Sequence, residues 1–128
     1  MANDPAAQSS PAQQSDGASR RQIGDVLATV VLVIVHFGLY GATFVVLGLL
    51  VMGTDSCGYQ KCGDPAWLDR AMHLGAWAGG VLLLADVALT LFRVVRKRVA
   101  WVVPLIGCIA QVALAFGAGA MESLAGPV

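Results

Sequence analysis

Two ionisable residues stand where ionisable residues are costly. His36 and Asp86 each interrupt a long apolar run. An ionised carboxylate near the middle of a membrane-crossing helix carries an apparent insertion cost of about 3 kcal/mol. Gln111 interrupts a third run. Counted from the basic end of each run, the three residues fall within about one helical turn of a common depth. A His36–Asp86–Gln111 polar cluster inside the membrane is therefore expected. Its chemistry has two readings, a proton or ion relay through Asp86 and His36, or a polar clamp that holds helices together.

A second pair is Cys57 and Cys62, separated by four residues in a polar stretch. A disulfide is the favoured reading if that stretch faces an oxidising compartment. A metal site is the rival, but Asp64 and His73 are the only further ligands nearby, short of a zinc pattern. Two free thiols are the remaining reading. Cys108, inside an apolar run, reads as a small apolar residue. There is no Ser-His-Asp set, no glycine-rich phosphate loop and no basic stripe with interleaved aromatics. The expectation is a non-enzymatic chain with no catalytic residue, metal or cofactor, and no nucleic-acid partner.

The elements that must position these residues follow from composition. Of 128 residues 57% are hydrophobic and only 12% charged, far below the roughly 25% charged residues of soluble domains. The charges cluster and leave three long apolar runs, about 26–53, 71–92 and 99–121. At about 1.5 Å per residue each run reaches or slightly exceeds the ~30 Å hydrocarbon core. The fold class is an all-α membrane protein, three transmembrane helices in an up-down-up bundle. Residues 22–125 form the transmembrane domain. Residues 1–21, rich in Ala, Gln, Ser and Pro at their start, are expected to be a disordered cytoplasmic tail. Asp64-Pro65 marks a helix start, with Asp64 capping.

Charge sets the orientation. Arg20, Arg21, Arg93, Arg96, Lys97 and Arg98 fall at one end of the spans, and Lys61 and Arg70 at the other. The positive-inside rule places the N-terminus in the cytoplasm and the cysteine loop and C-terminus outside, in a multi-pass plasma-membrane protein. Trp101 near the inner boundary and Trp67 and Trp77 toward the outer one fit interfacial anchoring.

At 100° per residue each span shows a face. Asp25, Thr29, His36, Tyr40 and Thr43 share one on the first span, and Gly38, Gly41 and Gly48 lie opposite. Gly75, Gly79, Asp86, Thr90 and Arg93 share one on the second. Pro104, Gly107, Gln111, Ala118 and Glu122 share one on the third. Small residues admit close backbones and polar residues avoid hydrocarbon, so these faces meet protein. The glycine face of the first span is left over for a partner or a second copy.

The segments Asp55-Ser56-Cys57-Gly58, Cys62-Gly63 and Arg96-Lys97-Arg98-Val99-Ala100-Trp101-Val102-Val103-Pro104-Leu105-Ile106-Gly107 resemble those of small actinobacterial integral membrane proteins of unknown function. The resemblance covers roughly residues 22–121. It implies a variable polar N-terminal tail, a cysteine-bearing outer loop and a basic loop running into a Trp-Val-Pro-Leu helix. Some members carry a further helix. The family implies no catalytic residues. The functional expectation is an accessory or assembly subunit of a membrane complex, in contact with lipid and with other subunits or its own copies. The alternative is a small proton- or ion-coupled transporter or channel oligomer using Asp86 and His36.

Overall fold

The computed structural model describes residues 11–127, and every long element in it is helical. Helix α1 spans Pro11–Met52, α2 Ala66–His73, α3 Gly79–Val95 and α4 Val102–Ser123. A π-helical turn, Leu74–Ala78, joins α2 to α3 without a break, so Ala66–Val95 is one rod. Three rods are long and apolar enough to cross a membrane. A 3-10 segment, Gly53–Gly58, ends the first span.

The start of α1 corrects the sequence expectation. Residues 1–10 of the expected tail lie outside the described residues, but 11–21 are helical. Pro11 suits a first helical position. Ala, Gln and Arg are good helix formers, and Asp16 stands four residues before Arg20 in the favourable order. A helix already nucleated by an apolar span extends through such residues at little cost. With 42 residues α1 is about 63 Å long, twice the ~30 Å hydrocarbon core, and its N-terminal part projects beyond it. The second span likewise extends past residues 71–92 at both ends.

The three rods pack pairwise into a triangle, with α1 and α4 parallel and α3 antiparallel to both. Burial is inverted relative to a water-soluble protein. Thr29, His36, Thr43, Asp86, Thr90, Gln111 and Glu122 are buried. Val81, Leu84, Val95 and Phe116 are among the most exposed apolar residues, at 62–78%. Apolar side chains need no burial when the solvent is hydrocarbon, whereas polar ones do.

Both ends of the bundle are tied. At one end Cys57 and Cys62 are disulfide-bonded. The Asp64 carboxylate accepts the Ala66 N–H at 2.9 Å and starts α2. The chain's last residues return to this loop: Gly63 N–H donates to the Gly126 carbonyl at 3.1 Å, and Cys62 pairs with Pro127. At the other end, the Asp25 carboxylate accepts the Ala100 N–H at 3.3 Å. An anion on α1 thus sits just ahead of the N-terminus of α4, the sign the helix dipole favours.

A Cβ on Gly63 would overlap the Leu124 carbonyl oxygen, whereas one on Gly58 meets nothing within 4 Å. Gly63→Ala should therefore lower stability by about 1–3 kcal/mol through loss of the C-terminal docking. Gly58→Ala should be near neutral. Thermal unfolding of both variants in detergent checks this, and equal melting temperatures would contradict it.

Candidate functional site

The polar residues of the bundle form a seam between the three spanning helices, built one layer at a time. The central layer holds His36 of α1, Asp86 of α3 and Gly107 of α4. His36 Nδ1 lies 2.6 Å from Asp86 Oδ2. The two side chains are 0% and 2% exposed. With the proton on Nδ1 the ring donates to the carboxylate, and the short distance marks a charge-assisted bond. Gly107 makes room for the pair: an added Cβ would lie 3.0 Å from Asp86 Cγ and from the His36 ring.

Gln111 belongs to the next layer, not to this one. It lies about one helical turn along α4 from Gly107, and its Nε2 donates to Thr43 Oγ1 at 3.2 Å. Thr43 in turn donates to the Leu39 carbonyl at 2.8 Å. The expected three-residue cluster is thus two adjoining pairs, because α4 crosses α1 with Gly107 at the depth of His36. The same layer holds Gly79, whose added Cβ would meet the Tyr40 ring at 2.9 Å and Gln111 Nε2 at 3.3 Å. Gly75 faces Leu47 in the same way, at 2.8 Å. Gly75 and Gly79, four positions apart on one face of the second span, therefore each receive a large side chain of α1.

Several contacts were not legible in the sequence. The Tyr40 hydroxyl donates to the Ala76 carbonyl at 3.1 Å, inside the π turn. Such turns perturb the helical ladder and mark specialised positions. Cys108 does more than fill space, since its thiol approaches the Leu32 carbonyl at 3.6 Å. Arg93, placed by periodicity on the buried face, is exposed and donates to the Val99 carbonyl at 3.4 Å. It sits at the last turn of α3, where a long side chain reaches out of the bundle. At Gly38, Gly41 and Gly48 an added Cβ would have no neighbour within 4 Å among the described residues beyond the adjacent backbone of α1 itself.

The seam has spare hydrogen-bonding capacity. His36 Nε2, Asp86 Oδ1, Thr90 Oγ1, Gln111 Oε1 and both Glu122 carboxylate oxygens are buried without a partner among the described residues. Among those residues no group of three or more His, Cys, Asp or Glu side chains is placed to hold a metal ion.

A family model matches residues 1–127, nearly the whole chain. The chain belongs to DUF6264, a family of unknown function. No curated protein and no solved structure gives a match. The match extends beyond the 22–121 region of the sequence resemblance and takes in the polar N-terminal segment.

Removing one partner of this buried hydrogen-bonded pair leaves the other unsatisfied, at about 1–3 kcal/mol. His36→Leu and Asp86→Leu should each destabilise the bundle on that scale, and the double variant by clearly less than their sum. Unfolding of the three variants in detergent measures the coupling; simple additivity would show that the pair does not hold the helices. Gly107→Ala should cost about 1–3 kcal/mol in the same assay, by crowding the pair.

Proposed function

We propose that this DUF6264 member is a non-enzymatic subunit of a membrane complex that docks a partner's transmembrane helix on the outer face of α1. The observation that carries the reading is the two-sided character of α1. One side is consumed by the polar seam. The other presents Gly38, Gly41 and Gly48 with open space at each Cβ position. Glycines at helical spacing let another helix approach closely, and packing drives association in lipid.

The proposed setting is a plasma membrane, with the N-terminus cytoplasmic and the cysteine loop and C-terminus outside. Six basic residues at one end against two at the other support this orientation. The disulfide supports it independently, since such bonds persist in oxidising compartments. The likeness to actinobacterial membrane proteins belongs to the same reading.

A second reading is a small proton- or ion-coupled transporter or channel oligomer. It is favoured by the unpartnered His36 Nε2 and Asp86 Oδ1, which leave the pair able to accept or pass a further proton. Proteoliposome flux unchanged in Asp86→Asn would rule against it.

The docking reading predicts that extraction in mild detergent at native expression level, followed by mass spectrometry, recovers a stoichiometric membrane partner. The double variant Gly38→Leu, Gly41→Leu should lose that partner while its melting temperature stays unchanged. Recovery of a lone monomer would overturn the reading, and recovery of a homo-oligomer would assign the face to a second copy.

A further inference from the structure

We propose that the groove between the start of the α1 span and the α3–α4 connection binds the headgroup of an acidic phospholipid. The groove encloses about 640 Å3. Two segments far apart in sequence supply its cations, Arg21 from α1 and Lys97 and Arg98 from the connection. None of the three pairs with a carboxylate among the described residues. Asp25 also lines the groove, but its two oxygens are directed to the Ala100 N–H at 3.4 and 3.3 Å. That contact tethers the connection to α1 and holds the two sources of charge together.

The turn that delivers the cations is made against backbone preference. Lys97 has φ 53°, the left-handed region that favours glycine. The turn itself is of the kind that ends helices, with the Arg98 N–H bonded back to the Arg93 carbonyl at 3.0 Å. A glycine at residue 97 would make the turn at lower cost and leave the groove one cation poorer. The lysine is therefore better explained by the groove than by the turn.

The remaining walls select a lipid over a free anion. Val26, Val94 and Val99 line the same groove, together with Trp101, a residue 42% exposed. Val26 lies about one and a half turns deeper along α1 than Arg21. Cations at the mouth and an apolar wall running toward the hydrocarbon fit a ligand that is anionic at one end and apolar at the other. Basic pockets between membrane helices take acidic headgroups by this combination.

Native mass spectrometry of the full chain in mild detergent, titrated with phosphatidylglycerol or phosphatidylcholine, tests the assignment. Arg21→Gln, Lys97→Gln, Arg98→Gln removes the groove cations. Arg20→Gln, Arg93→Gln, Arg96→Gln removes the same charge from the same end and no side chain of the lining; of the three, Arg93 alone is bonded to a lining residue, at the Val99 carbonyl. The first triple variant should bind phosphatidylglycerol roughly tenfold or more weakly than the second, with phosphatidylcholine binding unchanged in both. Equal losses would reduce the effect to bulk charge and overturn the site. Displacement of the lipid by inorganic phosphate alone would overturn the lipid assignment in favour of a free anion. Lys97→Gly keeps the turn and guards against a folding artefact: it should retain the melting temperature yet lose affinity severalfold, and unchanged affinity would count against the groove.

Discussion

An imidazole and a carboxyl group 2.6 Å apart in the middle of a helix bundle set the terms for the rest of this molecule. Hydrocarbon supplies no hydrogen-bond partner, so a residue such as Asp86 must find one within the protein. His36 is that partner, and it comes from a different helix. Once those two atoms meet, the relative depth and rotation of α1 and α3 are restricted. The third helix must then pass both without displacing either, which explains why α4 presents Gly107 at that level.

The same logic repeats along the seam. Thr29 and Thr43 donate to carbonyls one turn back on α1, the standard way for a hydroxyl to be satisfied in an apolar medium. Gln111 bridges α4 to Thr43, and Tyr40 bridges α1 to the π turn. Glycines stand opposite the bulky members of the seam, so that Gly75 receives Leu47 and Gly79 receives Tyr40. Interior positions are accordingly mostly small or polar, with Leu47 and Leu83 the large apolar exceptions among the described residues, and the most exposed positions within the spans are large and apolar. In such a medium it is packing and polar contact that associate helices.

The two ends of the bundle serve different purposes. The disulfide loop and the C-terminal residues clasp each other and close one end. At the opposite end Asp25 draws the α3–α4 connection onto α1 and leaves three cations around an open groove. One end is thereby a covalently braced cap and the other a charged surface. A subunit that packs against a partner along α1 would expose both ends to its surroundings.

Composition and periodicity alone determined the membrane class, the three spans and the inward face of each, because a 20-residue apolar run has few other stable fates and polar residues at helical spacing mark the side away from lipid. They also located the disulfide cysteines and the glycines of α1 that remain uncovered. The choice of partners was decided only by tertiary structure. Depth counted along each span could not tell that His36 pairs with Asp86 while Gln111 pairs with Thr43, since one helical turn of relative shift exchanges those pairings and only the packed register removes the ambiguity. Nor could it show Asp25 ahead of α4, the π turn under Tyr40, or the C-terminus returning to Gly63, because each joins residues that local sequence does not relate. The helical extension to Pro11 was missed for the opposite reason. Its residues look unstructured in isolation, and become helical because the span beside them has already met the cost of nucleation.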